Sequence, residues 1–293
     1  MTPSHTQAAP AGLRSLVPGV IGAASFACAD VLGKVILVAG ADVLTILSVR
    51  GVAGLAFLAA WLRLGAKPVA FSPRDRWIAL GIGLLFAITI YCLFKAFDVM
   101  NVSTAILAYF VYPLLTGLVA ALTGLERLGW RGAAAAIVVF IGLALIVGAR
   151  PSDLAFIGVV FSLAAAVSRA AMLVLTRALM AHADARLLTW YSMLSSTALF
   201  VAISLATRTW HPPLTAVGWG ALAAISIVTV VAILAVFVST NRVGPFRTAL
   251  VMNLEPPITA LGGALVLGDV IMPVQIAGGV IMLTALIAFQ LRR

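Results

Sequence analysis

The chain has 293 residues, of which 63% are apolar and 10% charged, and its formal net charge is +10. Soluble globular domains carry about a quarter charged residues and about half apolar ones, so this composition excludes a water-soluble fold and predicts an all-α polytopic membrane protein. Nucleic acid is not an expected partner, because the basic residues lie mostly in short loops between apolar segments, where they set membrane orientation.

The chain begins with a polar segment, residues 1–16, that we predict to be a cytoplasmic tail. It lacks the apolar core of a secretory signal peptide, so we expect the first span to stay in the mature protein. Ten apolar runs follow, each bounded by proline, glycine or charge, and they predict ten transmembrane helices. The runs are 17–39, 44–63, 77–97, 102–123, 130–149, 155–178, 187–207, 215–240, 244–268 and 273–291.

The distribution of lysine and arginine predicts the orientation. With a cytoplasmic N-terminus, the inner side collects thirteen basic residues and the outer side only Arg150 and Arg208. The positive-inside rule therefore places both termini in the cytoplasm, which requires an even number of spans.

An internal repeat divides the spans into two sets of five. At a constant offset of 143 residues, Pro113–Glu126 aligns with Pro256–Asp269, with five identities in fourteen positions. The repeats are predicted to occupy residues 17–150 and 151–293. Because five is odd, the second repeat would enter the membrane inverted, as in transporters that work by alternating access.

The hypothesis of a substrate-binding site rests on charged residues inside the predicted spans. Each would cost ~2.5–3.5 kcal/mol if it faced lipid, so we expect them to line a wet cavity or to pair with one another. They are Asp30, Lys34, Arg50, Lys95, Arg169 and Glu255.

These residues differ in their predicted depth in the membrane, and Asp30 and Glu255 fall near the middle of their spans. Glu255 is the strongest candidate for a functional residue. Asp30 and Lys34, four residues apart, also fit a structural ion pair, and Arg169 and Lys95 also fit side chains that reach toward an interface.

Prolines and polar aromatic residues add to this set. Pro113, Pro256 and Pro257 remove backbone donors inside the fourth and ninth spans, and matching breaks in two repeats mark a transporter's binding site, although simple packing kinks remain an alternative. Further cavity candidates are Tyr91, Tyr109, Tyr112, Tyr191 and Asn253. A buried hydroxyl or amide needs a polar partner, which favours a cavity lining for these side chains or, for Asn253, a contact between helices.

Catalysis is not expected. The chain has no phosphate-binding loop of the G-x-x-x-x-G-K-[ST] type, so no ATPase subunit is implied. His5, His182 and His211 are scattered over the tail and loops, without the spacing of metal ligands. We therefore expect no cofactor, no metal and no enzymatic activity.

The chain resembles the drug/metabolite transporter superfamily, EamA type. The resemblance rests on two five-helix halves, short loops, both termini inside, and a fourth helix in each half that ends with the pattern P-x₁₂-E. Within it, the chain is most similar to the YddG amino-acid exporters. The second half departs from the pattern in Asp269, which replaces Glu, and in the double proline. The resemblance implies a multi-pass protein of the bacterial inner membrane that exports amino acids.

The predicted function is a secondary transporter that exports amino acids, with aromatic or neutral ones favoured, and related metabolites or foreign compounds. Lys34 or Arg50 would bind the substrate carboxylate, and Glu255 or Asp30 the ammonium group. The lipid bilayer and a small-molecule substrate are the expected partners. An organic-cation or multidrug efflux carrier of the same fold stays open, as does a channel or structural membrane subunit. Proton coupling and facilitated diffusion are both compatible with the sequence.

Overall fold

The computed structural model describes residues 13–97, 99, 102–126, 129–148, 155–268 and 270–291. A short 3₁₀ turn at Leu13–Ser15 precedes a series of α-helices, and all regular elements within these ranges are helical. The helices are α1 (Val17–Val38), α2 (Val43–Leu64), α3 (Pro73–Phe97), α4 (Val102–Tyr109), α5 (Tyr112–Leu122), α6 (Trp130–Val147), α7 (Phe156–Met180), α8 (Ala185–Thr207), α9 (Ala216–Val243), α10 (Pro245–Met252), α11 (Glu255–Leu267) and α12 (Pro273–Leu291).

Eight segments of the described chain are long and apolar enough to cross a membrane. Two of them are composite, because α4 continues into α5 and α10 continues into α11. Shorter apolar helices cover Trp130–Ile146 and Pro273–Ala288, at the positions of the fifth and tenth predicted spans. The all-helical membrane fold is therefore confirmed, whereas ten spans with both termini inside remain a prediction; residues 1–12 of the predicted tail lie outside the described residues.

The fourth predicted span is interrupted near its middle. α4 ends at Tyr109, and α5 begins at Tyr112 with Pro113 as its second residue. Because proline has no amide hydrogen, the carbonyl of Tyr109 has no donor four residues ahead. The span therefore consists of two helices that meet at a backbone break.

The ninth predicted span is interrupted in the same way. α10 ends at Met252, and α11 begins at Glu255, which Pro256 and Pro257 follow. The two prolines deprive the carbonyls of Met252 and Asn253 of their usual donors. This break removes two successive helical hydrogen bonds, one more than the break in the fourth span.

The largest helix contacts follow the repeat, but several smaller ones do not, and one of these bears on the site. The offset of 143 residues pairs α1 with α7, α3 with α9, α4 with α10 and α5 with α11. Accordingly α1 packs along α9 as α7 packs along α3, and α1 contacts α11 as α7 contacts α5. α5 also packs against α10, but α4 and α11, the counterparts of this pair, make no comparable contact in the part of the chain that is described. The bundle is closed where α5 meets α10 and apart where α4 faces α11.

The helices α6 and α12 pack closely against each other because small residues face each other between them. A Cβ atom on Gly142 would lie 2.7 Å from the carbonyl oxygen of Gly278. Close approach of backbones through small residues is the usual way in which helices associate in lipid. This pair belongs equally to both repeats and joins them at the edge of the bundle.

Candidate functional site

Asp30 lies near the middle of α1 and anchors a group of polar side chains. Its Oδ2 atom accepts a hydrogen bond from Oγ1 of Thr259 on α11, at 3.2 Å. Arg50 on α2 and Glu255 on α11 are its charged neighbours. Asp30 is nevertheless exposed, so its side chain is not enclosed by these contacts.

Arg169 occupies the middle of α7 and is only 4% exposed. Its guanidinium carbon lies 5.5 Å from the ring centre of Phe26 and 5.9 Å from that of Tyr112. Its charge also interacts with the hydroxyl of Tyr112, while its Nε atom has no hydrogen-bond partner among the described residues. A buried guanidinium held against two rings, with one donor unused, is suited to receive an anionic group.

The tyrosines at the first helix break form the next layer. Tyr112 is buried, and its hydroxyl donates to the carbonyl oxygen of Ala249 at 3.5 Å. The Tyr109 ring lies 5.2 Å from that of Tyr112, and its hydroxyl is close enough to Arg169 and Glu255 to interact with their charges. The first break therefore presents aromatic surface and hydroxyl groups to the charged residues.

Glu255 stands at the second helix break. It is half-buried and is the first residue of α11, where the helix dipole favours a negative charge. Asp30 and Arg169 are its charged neighbours. The positions that meet here form what we name the central cluster: Phe26, Asp30, Tyr109, Tyr112, Arg169 and Glu255.

The repeat relates members of the central cluster to each other. Arg169 and Phe26 are 143 positions apart, as are Glu255 and Tyr112. The structure brings the members of the first pair into direct contact. The cluster therefore lies where the two repeats face each other.

Two of the sequence-predicted residues have local partners elsewhere. Asn253 is buried, and its amide donates to the carbonyls of Ala249 and Leu250 at 3.1 and 3.2 Å. It thus ties up the carbonyl end of α10. Tyr191, near the start of α8, stacks on Phe71 with ring centres 5.8 Å apart.

Three further predicted residues are not part of the central cluster. Lys34 is exposed one turn beyond Asp30 on α1, and Tyr91 and Lys95 are exposed on α3. Arg50, on α2, is half-buried and in electrostatic contact with Asp30. Arg50 is therefore a cation that the structure ties to the carboxylate of Asp30.

Sequence reasoning missed two contributors, Phe26 and Thr259. Each lies four residues from a residue that the sequence did single out, Asp30 and Glu255, and thus on the same helix face. Adding the repeat offset to Phe26 also gives Arg169. Within the described ranges, no three His, Cys, Asp or Glu side chains are grouped to hold a metal ion.

Comparison with known proteins gives two findings. The model of the EamA-like transporter family matches twice, over residues 14–148 and 156–289. A crystal structure described only as that of a protein aligns with a TM-score of 0.78 at 17% identity, covering 94% of this chain and 96% of the other. None of the curated proteins matches significantly. The family match thus covers both halves of the chain, and the similar crystal structure shows that its overall fold has been seen before.

Proposed function

The chain belongs to the EamA-like transporter family, and from this premise we propose that it is a secondary carrier that exports amino acids across a bacterial inner membrane. Aromatic and other neutral amino acids are the favoured substrates. The proposal includes ten spans, both termini in the cytoplasm and two inverted repeats, residues 17–150 and 151–293. It rests on the chemistry of the central cluster and on the unequal packing at its two ends.

The packing supports alternating access. With the termini inside, the contact between α5 and α10 lies on the cytoplasmic side of the central cluster, and the gap between α4 and α11 lies on the outer side. Two inverted repeats can exchange these arrangements, because each contact has a counterpart at the opposite end. Rocking about the two helix breaks would close α4 on α11 and separate α5 from α10.

The charge balance of the site is the observation that carries the substrate class. Asp30 and Glu255 supply two carboxylates, and Arg50 and Arg169 supply two guanidinium groups. A zwitterion adds no net charge to such a site and offers one partner to each sign. The substrate ammonium would pair with Glu255 and Asp30, and its carboxylate with Arg169, whose Nε atom has no partner in the described chain.

This assignment differs from the sequence-based expectation for the carboxylate, which named Lys34 or Arg50. Arg169 is preferred because it is buried, faces Glu255 and is held by two rings. Phe26 and Tyr109, beside it, would contact the substrate side chain.

The test is transport by the Glu255→Gln variant in proteoliposomes, measured as counterflow of a labelled neutral amino acid. Gln keeps the shape of the side chain but cannot pair with an ammonium group or carry a proton, so we expect counterflow to fall to background. Saturable counterflow by the wild-type protein would also separate a carrier from a channel. Unchanged counterflow by the variant would reject the role of Glu255.

An organic-cation carrier is the second candidate, because Tyr109 lies close enough to Glu255 and Asp30 to interact with their charges, and Tyr112 close enough to Glu255. The two guanidinium groups in the same place would repel a cation without an anionic group. Competition separates the candidates: a quaternary ammonium compound should not displace a labelled amino acid if the site is built for zwitterions.

A further inference from the structure

A half-buried acidic residue lies away from the central cluster, at the end of the bundle where α5 meets α10. Glu126 follows α5, and its carboxylate lies against Gly244, the residue before α10. The amide of Phe246, in the first turn of α10, donates to its Oε1 atom at 3.4 Å. Gly244 has φ of +92°, and a side chain there would collide with the carboxylate. Only glycine leaves this space open.

This contact joins one repeat to the other. Glu126 belongs to the first repeat, and Gly244 belongs to the second. Within the second repeat, Arg177 of α7 donates to the carbonyl of Asn241 on α9, and the Asn241 amide donates to the carbonyl of Met180 at 3.1 Å. The ends of α7 and α9 are thus tied together, and Glu126 seats the end of α5 on the helix that follows α9.

The positive charges around Glu126 do not offset the effect of burial on the pKa of its carboxyl group. Burial raises the pKa of Glu126 from its ordinary 4.5 to about 7, although the Phe246 amide, Arg247 of α10 and Arg177 of α7 all act to lower it. Of the remaining nearby cations in the described chain, Arg242 in the last turn of α9 is exposed, and Arg131 of α6 lies over the ring of Trp130 at 5.5 Å. The ionised carboxylate is therefore destabilised in this contact relative to water.

We infer that Glu126 is a proton-operated latch that holds α5 closed on the start of α10 and lets them separate when its carboxylate ionises. The latch governs the inner end of the pathway, and the inference rests on the carrier mechanism proposed above. When the inner end opens, the Glu126 carboxylate leaves its contact with Gly244 and becomes hydrated.

The direction of the pH effect follows from linkage. The closed state binds the proton more tightly, because the pKa of Glu126 is about 7 there against 4.5 in water. Lowering the pH through this interval favours the closed state, and raising it favours the open one. Above about pH 7 the carboxylate is ionised in both states and the effect levels off, so it is a fall in pH from neutrality that closes the latch.

The test measures the accessibility of a thiol behind the latch in purified, detergent-solubilised protein. Ala120 is fully buried in α5, two residues before the end of that helix. Ala120→Cys is introduced together with Cys28→Ser, and the native Cys92 is kept as a buried control. A polar maleimide then reports opening at residue 120, while labelling of Cys92 reports general loosening of the fold.

Two variants of the latch are compared in this background. Glu126→Gln keeps the shape of the neutral side chain, so the thiol at residue 120 should label slowly. Glu126→Ala removes the contact, so this thiol should label at least ~5-fold faster than in the Gln variant at both pH 5 and pH 8. The ratio of the rate with Glu126 to the rate with Gln at the same pH cancels the pH dependence of the thiol. This ratio should be about 4 at pH 5, because a carboxylate with a pKa of 4.5 in water is already largely ionised there, and it should rise at least ~5-fold further by pH 8.

A ratio that does not change with pH, or an Ala variant that labels as slowly as the Gln variant, would overturn the inference. Labelling of Cys92 that rises in parallel would also overturn it, because the effect would then be unfolding. No substrate is needed, so failure of amino-acid transport and failure of the latch are separate results.

Discussion

The two helix breaks have the same backbone architecture but different chemistry. Each interrupts a span near its middle, and each is followed by proline, at positions 143 residues apart. Yet the first repeat brings rings to the centre, Phe26 and Tyr112, where the second brings charges, Arg169 and Glu255. The duplicated scaffold has kept its mechanical features while its central side chains have diverged.

The contact between the repeats explains why divergence is needed there. The structure places Phe26 and Arg169 against each other across the repeats. Had both positions kept arginine, two buried guanidinium groups would face each other at a large electrostatic cost. A ring facing a cation is favourable instead. An asymmetric ligand, such as an amino acid, also needs a site whose two halves differ.

The largest loss of transport is expected when the charged residue of this pair, Arg169, is replaced. Arg169→Met keeps the volume and flexibility of the side chain but removes the proposed carboxylate partner, so transport should fall ~100-fold, about the loss for a buried charged hydrogen bond. Initial rates of counterflow over a range of substrate concentrations give this value. Phe26→Leu, at the equivalent position of the first repeat, is the matched control and should cost ~10-fold or less.

Melting temperatures of both variants in detergent show whether a loss of transport reflects unfolding. Arg169→Met leaves Glu255 without its cationic neighbour and removes two ring contacts, so its melting temperature should fall, and transport is compared at a temperature at which both variants remain folded. Equal transport losses in the two variants, with both proteins folded, would contradict the different roles that the account gives to the equivalent positions 26 and 169.

A smaller effect should distinguish two threonines that the repeat makes equivalent. Thr259 donates to Asp30 across helices, whereas Thr116 donates to the carbonyl of Tyr112 in its own helix at 2.7 Å. Thr259→Val should raise the KM for the amino acid ~5-fold, which corresponds to one hydrogen bond of about 1 kcal/mol. Thr116→Val should change it less than ~2-fold, and a reversed order would show that Asp30 does not act in binding.

Much of the fold could be predicted from the sequence because long apolar runs in a chain with 10% charge leave few alternatives. The all-helical membrane fold and the EamA-type family were predicted and are confirmed. The YddG subtype, the orientation and the amino-acid substrate stay predictions. The prolines indicated interruptions in the fourth and ninth spans, and the structure has breaks at both places.

The site was harder to predict because helix rotation is poorly encoded in such a chain. Lipid-facing and protein-facing surfaces are both apolar, so the pattern of hydrophobic residues does not show which side chains face inward. Tyr91 and Tyr191 therefore looked equivalent to Tyr109 and Tyr112, although one is exposed on α3 and the other stacks on Phe71. The contact of Phe26 with Arg169 depends on packing between helices far apart in sequence.

The most direct test of the account measures one distance in each of two doubly labelled variants by electron paramagnetic resonance. Spin labels at Thr123 and Arg242 report the inner ends, and labels at Val99 and Val270 report the outer ends, with Cys28 and Cys92 replaced by serine. All four labelled positions are exposed. Without substrate, the inner distance should be narrowly distributed and the outer pair widely separated. A saturating transported amino acid should populate a state in which the inner distance lengthens while the outer distance shortens. Two distances that change in the same direction, or do not change at all, would contradict alternating access between the two repeats.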